Sequence, residues 1–461
     1  MRRSPRRMTS LLSLTCLTVA GGLAAAACSP PGSGSAASSQ SSRPAGSIST
    51  NPAKAGTVTL QVWDQEVRGG QNAEISRLNK EFQSTYPNVT IKRTAKSFSD
   101  LKTTLKLALS GKNPPDVVEA NQGYGDMVAF VKAGMLTPLD SYAKAYGWAN
   151  RYPKTLLDLN RVSNDGKHFG EGKLYGLSQM GEYIGIYYNK DKLKQLGLQP
   201  PKTWKDFTDQ LPKIKAKGQL PIQFGNLDKY PAIHTFGVIQ GQTAGKQTVR
   251  NLVFGTGNAT WTDSGTLKAA QVLADWAKKG YFPQGANGLG YDDAAKQFAS
   301  GQGVYLVTGT WEAAVLKPSM GRKLGLIVTP PDQPGGSVVT TGGESLAFAV
   351  TSKSKHPDVA AAYINFLTDK HAADVMTKTG NLPAVPGPAA KSLPASSIEG
   401  QMVQGWETLS QDDGLVPYLD YSTPTFYDTI TASLQGLIGG KLTPQQFTQR
   451  LQSDYQSFHS Q

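Results

Sequence analysis

The side chains able to do covalent chemistry are few, and their spacing argues against most reactions. The chain has five histidines and two cysteines. No two histidines fall at H-x-x-x-H or H-E-x-x-H spacing, and no C-x-x-C occurs. Neither a catalytic zinc site nor a redox pair is therefore expected. No phosphate-cradling Walker loop is present. The nearest approach to a nucleophile elbow is Gly343-Glu344-Ser345-Leu346-Ala347. It lacks the final glycine, and a strand pattern follows where a helix is required. Glu182 and Glu344 are carboxyls that a glycoside hydrolase could set on either side of one bond. An exported hydrolase is thus the catalytic alternative, and an envelope structural or adhesion protein the non-catalytic one. No cofactor is expected.

The remaining reactive group is a thiol, and its position is informative. Arg2, Arg3, Arg6 and Arg7 form a basic start, Leu11 to Ala20 is mostly apolar, and small residues run up to Cys28. Residues 1–27 read as an export signal. Arg6-Arg7 is a poor match to a twin-arginine motif. Cleavage before Cys28 removes Cys16 and leaves one cysteine, so the exported chain has no internal disulfide. Ala25-Ala26-Ala27-Cys28 resembles the lipobox of bacterial lipoproteins, with Ala25 where leucine is usual. The resemblance implies a lipid on Cys28 and a place on the extracellular face of the cytoplasmic membrane. Ordinary signal peptidase would cut the same bond after Ala25-x-Ala27. Residues 28–56 are rich in Ser, Ala, Gly and Pro and read as a flexible tether.

The net charge of +13 falls to +9 once the four leader arginines are removed. Lys92, Lys96, Lys102, Lys106 and Lys112 are scattered singly, without interleaved aromatics. Such a surface suits an anionic cell envelope and argues against a nucleic-acid partner.

Chemistry-bearing residues need elements to hold them. In TVTLQVWDQ, Val58, Leu60 and Val62 alternate with polar residues, which predicts a strand. Ile75, Leu78 and Phe82 share one helical face, stopped by Pro87. VTIK reads as a second strand. Asp100 is expected to cap a helix bearing Leu101, Leu105 and Leu109 and ended by Gly111. PPDVVEA is a third strand. This alternation predicts an α/β fold with a largely parallel sheet, whose ligands meet the loops at the strands' carboxyl ends. Those loops hold Asp64-Gln65-Glu66 and Asn121-Gln122-Gly123-Tyr124. Turn chemistry alone would also account for Asn121 and Gln122. Farther on, Thr203-x-x-Asp206 is a capping box, and Pro212 is expected to kink or end its helix. GVYLVTG, LGLIVTPP and SLAFAVTS are strand candidates. Pro357 opens a helix lined by Val359, Tyr363, Phe366 and Leu367, and Phe447, Leu451, Tyr455 and Phe458 line the last one.

Taken in order, these segments resemble the extracellular solute-binding proteins of carbohydrate ABC importers, the group that includes maltose-binding protein. The resemblance runs from about Thr57 to the C-terminus. LNKEFQSTYPNVTI, LSGKNPPDVVEA, AGMLTPLD, GKLYGLSQMGEYIGIYYNKDKLKQLGLQPPKTWKDF, FASGQGVYLVTGTWEA, SKHPDVAAAYINFL and TGNLPAV carry it by their order and spacing. It implies two discontinuous α/β lobes, periplasmic-binding-protein-like, around a hinge and a ligand cleft. The implied layout is 57–182 with 349–385 for lobe 1, and 183–348 with 386–461 for lobe 2. Crossings fall near Tyr183, Phe348 and Pro386. The implied partners are a carbohydrate and the transmembrane permease subunits with their cytoplasmic ATPase, met by a monomer.

A sugar has hydroxyls at its rim and apolar faces, so a cleft for it needs an aromatic platform and fixed polar groups. By the resemblance, Trp311 in Gly309-Thr310-Trp311 is the stacking ring, and Glu182, eight residues before Lys190, is the hinge glutamate. Tyr230 and Tyr427, the latter beside Phe426, fall where relatives place further rings. Asp64, Gln65, Asn121 and Gln122 are expected to serve hydroxyls. Tyr183 marks the first crossing, and Gly343 with Glu344 precedes the second, where backbone could approach ligand. Trp63, Trp204, Trp276 and Trp406 are assigned to packing. With no Arg or Lys cluster at these loops, a neutral di- or oligosaccharide is expected.

Overall fold

Period-two burial does start the folded part. In the computed structural model, which describes residues 44–460, strand β1 (Val58–Asp64) buries Val58, Leu60, Val62 and Asp64 on one face. The leader, Cys28 and most of the expected tether lie outside the described residues. The helix Gly69–Thr85 buries Ile75, Leu78 and Phe82 and leads to β2 (Val89–Ala95). The helix Phe98–Ser110 buries Leu101, Leu105 and Leu109 and leads to β3 (Val117–Ala120). Its cap is Ser97, whose hydroxyl accepts from Asp100 N, and not Asp100. Asp100 sits in the first turn, where its charge faces the positive end of the helix.

β1 pairs in parallel with β2 and β3. The fourth strand of this sheet, β11 (Ala347–Val350), comes from far along the chain and runs antiparallel to β3. Between them in the chain lie a two-strand pair, β4 (Arg161–Val162) with β5 (Lys173–Leu174), and all but the last strand of a second sheet. The second sheet holds β6 (Gly181–Asn189), β7 (Ile222–Gln223), β8 (Tyr305–Gly309), β9 (Leu324–Val328), β10 (Thr340–Glu344) and β12 (Leu415–Val416). Each sheet carries its own helices, giving two α/β lobes.

The largely parallel expectation holds for three strands of lobe 1 and fails in lobe 2. β6 is nine residues long and wholly buried, and β8, β9 and β10 all run antiparallel to it. One edge pairs with β10 over Gly181–Tyr183 and with β9 over Gly185–Asn189, while the other edge takes β8. One long strand thus spans partners that arrive separately, which a strand-by-strand reading does not reveal.

The crossings sit a few residues from their expected places. β6 already belongs to sheet 2 at Gly181, so the first crossing is Leu177–Met180. β11 lies wholly in sheet 1, so Phe348 is past the second crossing at Ser345-Leu346. The third returns alongside the first, with Ala384 N donating to Gln179 O at 3.0 Å. The helix Trp204–Ala216 keeps the predicted Thr203–Asp206 capping box but runs on through Pro212. The end of the expected tether is fastened to lobe 1. Asn88 Nδ2 donates to the carbonyls of Pro52 (2.9 Å) and Gly56 (2.6 Å), and Ser49 N donates to Asp358 Oδ2 at 3.0 Å. Pro52 is buried there.

The carboxyl end of β1 is fixed by one cation. Arg93 on β2 grips Asp64, with Nε to Oδ2 at 2.6 Å and Nη2 to Oδ1 at 2.7 Å, and its Nη2 also donates to Glu66 O at 2.6 Å. Glu66, Glu74 and Glu119 are fully buried around this pair. Removing the guanidinium leaves Asp64 buried and unpaired, a loss of about 3 kcal/mol. Arg93→Gln is expected to lower the urea midpoint accordingly, with Arg93→Lys recovering part of the loss. An unchanged midpoint in Arg93→Gln would show that the pair holds nothing.

Candidate functional site

The two sheets point their loops at one cavity between the lobes. Lobe 1 contributes Gln65, Arg68, Gln71, Phe98 and Asn121, from the loops and helix starts after its strands. Glu344 comes from the end of β10 and Leu346 from the second crossing that follows it. Lobe 2 contributes Glu182, Tyr230, Ile233, His234, Trp311, Tyr418, Asp420, Tyr421 and Tyr427.

The aromatics form a continuous wall. Phe98 of lobe 1 meets the edge of Tyr230 of lobe 2 at 5.5 Å between centroids. Tyr230 leads to His234 at 5.6 Å, and His234 to Trp311 at 5.4 Å and Tyr418 at 5.6 Å. Trp311 Nε1 donates to Tyr291 Oη at 2.6 Å, which fixes the ring. The ring lies directly over Gly309, where a Cβ would come within 2.0 Å of it. Any side chain at 309 would displace the platform.

Arg68 spans the mouth. From lobe 1 its Nη2 reaches Asp292 Oδ1 at 3.0 Å and Tyr230 Oη at 3.4 Å, and its Nε lies 3.4 Å from Glu312 Oε1. Its guanidinium sits 5.3 Å from the Tyr291 ring centroid. All four partners belong to lobe 2, so Arg68 bridges the two lobes across the cleft.

Of the sequence-predicted residues, Gln65, Asn121, Glu182, Tyr230, Trp311, Glu344 and Tyr427 line the cavity. Four do not. Asp64 is spent on Arg93. Gln122 is a buried cross-link, its amide donating to Ser345 O at 2.9 Å and its carbonyl accepting from Tyr421 Oη at 3.1 Å. Tyr183 follows Glu182 on a strand, so it points to the opposite face. There its hydroxyl donates to Met402 O at 3.2 Å. Gly343 opens on the far side of the hinge, against Leu159, with φ of +154°. Opposite it in register is Glu182. Phe426 is core, against Trp261 at 4.6 Å.

The residues missed from sequence have traceable signals. Arg68 and Gln71 continue the loop already marked at Gln65. Phe98 starts the helix after β2, a strand whose carboxyl-end loop obeys the same rule as those of β1 and β3. His234 lies one helical turn after Tyr230. Tyr418, Asp420 and Tyr421 follow β12, a two-residue strand with no periodicity to reveal it.

A profile of the bacterial extracellular solute-binding protein family matches residues 69–374. The chain belongs to that family. A multiple sugar-binding protein of Streptococcus mutans is 26% identical over 321 residues, 68% of this chain and 72% of the relative. A sn-glycerol-3-phosphate-binding periplasmic protein of Brucella abortus is 26% identical over 336 residues, 70% of this chain and 74% of the relative. The solved structure of a chitin oligosaccharide binding protein shares the fold, with a TM-score of 0.76 at 24% identity over 88% of this chain and 100% of that one.

The cleft of this solute-binding protein is acidic but largely uncharged. Burial pushes Glu182 up to about 8, and the nearby Glu66 adds to the effect. Burial likewise pushes Glu344 up to about 8, eased by Asn160 Nδ2, which donates to its Oε2 at 2.7 Å. Glu66 is pushed up to about 7 by burial. Asp420 rises to about 6 by burial, opposed by Lys102. Burial pushes His234 down to about 3, so it is neutral. Each of these acids binds its proton more tightly folded than unfolded. The stability they add is present below the ordinary 4.5 and is lost as pH rises through 7 and 8. The melting temperature of the unliganded protein is therefore expected to fall between about pH 5 and about pH 8. Glu344→Gln should flatten part of that slope. A melting temperature that rises over this range would contradict the burial of these carboxyls.

Proposed function

We propose that this protein captures a di- or oligosaccharide without acidic groups in the interlobe cleft and presents it to an ABC import permease. One observation carries the ligand class: aromatic rings, amides and carboxyls together line one interlobe cavity. Trp311, Tyr230 and Tyr427 suit the apolar faces of pyranose rings. Asn121, Gln65, Glu182 and Glu344 suit hydroxyls. The similarity to the multiple sugar-binding relative supports this class. In this proposal the protein works as a monomer and is tethered by a lipid on Cys28, which keeps the loaded receptor close to its permease. It acts without catalysis. Burial pushes both Glu182 and Glu344 up, to about 8, and so favours their protonated forms at neutral pH. That burial disfavours the ionised carboxylate that glycoside hydrolysis requires.

A thermal-shift screen of the chain truncated at Cys28 against di- and oligosaccharides should give stabilisation that grows with ligand concentration. Trp311→Ala should weaken that ligand at least tenfold in calorimetry, roughly 1.4 kcal/mol, with little change in fold. Unchanged affinity would remove Trp311 as the platform. Release of reducing sugar that Glu182→Gln abolishes would establish a hydrolase instead. Mass spectrometry of the mature N-terminus should find a diacylglyceryl-modified Cys28. A free Cys28 would remove the anchor.

A further inference from the structure

The cleft has an excess of acceptors and no cation to spare. Glu182, Glu344 and Asp420 line it, and Arg68 is the one basic side chain among the lining residues. Arg68 is already committed to Asp292 and Glu312. Lys102, beside the cleft, is held by Asp126 at 2.5 Å. Glu344 is only 2% exposed, and its Oε1 has no hydrogen-bond partner. Gln71, also buried and lining the cleft, has an unpartnered Oε1. Gln71 Oε1 is an acceptor, Glu344 Oε1 is one once its carboxyl ionises, and buried polar atoms without partners are costly. A cationic group on the ligand supplies donors to both and favours that ionised form.

Hydroxyls bring one donor each and no charge. An ammonium brings three donors and the positive charge that three carboxyls lack. Resting on the saccharide reading above, we infer that the preferred ligand is an amino-substituted sugar whose protonated nitrogen sits against Glu344, within reach of Glu182 and Asp420. Burial alone favours the protonated forms of Glu182 and Glu344, the state in which uncompensated carboxyls cost least. The ammonium lets them ionise and forms charge-assisted hydrogen bonds, about twice the strength of neutral ones. A phosphorylated sugar meets the reverse situation, because no unpaired guanidinium or ammonium awaits it.

Matched sets of mono- and disaccharides test this by calorimetry at pH 7. Each set offers the same glucose-, galactose- or mannose-based sugar in its hydroxyl, 2-amino, 6-amino, N-acetylamino and 6-phosphate forms. The best amino form is expected to bind at least tenfold tighter than its hydroxyl and N-acetyl counterparts, and the phosphate form not measurably. Glu344→Gln, and independently Asp420→Asn, should shrink the amino advantage at least fivefold while the protein still melts cooperatively. Hydroxyl forms that bind as tightly as their amino forms in every set would overturn the inference and leave the saccharide reading intact. So would an amino advantage that survives both substitutions. Binding of no member of any set would instead sink the saccharide reading, and this inference with it.

Discussion

The grip of Arg93 on Asp64 sets the floor of the cleft. One guanidinium grips Asp64 and the Glu66 carbonyl, and the buried Glu66, Glu74 and Glu119 gather around that pair. Glu119 Oε2 accepts from Gln65 N at 2.6 Å and so aims the first cleft residue of lobe 1. Glu74 Oε2 accepts from Gln179 Nε2 at 3.4 Å, and Gln179 lies in the first crossing. The acid cluster thus links strand end, cleft loop and hinge. A buried ion pair of this kind is a poor source of net stability. What it supplies is a single arrangement of polar groups, because any shift of β1 would leave buried polar groups unmatched.

The hinge turns that fixed floor into a two-sided device. β6 and β10 meet with Glu182 opposite Gly343 and Tyr183 opposite Gly342. A Cβ on Gly342 would come within 2.4 Å of Glu182 O, so the strands can approach only through glycine. Strand alternation sends Glu182 into the cleft and Tyr183 to the helix Ile398–Gln411 behind it. Gln122 then ties the lobe 1 loop to Ser345 O at the second crossing and to Tyr421 of lobe 2. Its two-handed amide suits a joint better than a ligand contact.

The regular part of this protein was legible in its sequence because regularity is what periodicity records. β1, the helix bearing Ile75, Leu78 and Phe82, and the Thr203 capping box all follow from local spacing. The antiparallel second sheet does not, since β6 collects partners from distant segments. The site was legible in the same measure. Trp311 and Tyr230 came from the family layout, and Gln65 and Asn121 from the rule for strand ends. Asp64 and Gln122 obey that rule and still miss the cavity, because their polar atoms are consumed by Arg93 and by the hinge. No local pattern tells a free carboxylate from a committed one. Tyr418, Asp420 and Tyr421 had no signal at all, for they follow a two-residue strand.

Closure of the cleft must also be accounted for. The Arg68 latch looks decisive, yet Asp292 is 62% exposed, and an exposed pair of this kind is worth about 0.2–1 kcal/mol. Glu312 is buried but 3.4 Å away, and its own burial favours the proton over the charge. The edge contact of Phe98 with Tyr230 adds about 1 kcal/mol. Moving a two-state equilibrium from mostly open to mostly closed takes about 5.5 kcal/mol of differential affinity. The latch alone falls short of that. The balance has to come from what fills the cavity, through stacking on Trp311 and donors offered to the unpartnered oxygens of Gln71 and Glu344. Contacts made by the ligand to Trp311, Gln71 and Glu344 are therefore what drives closure.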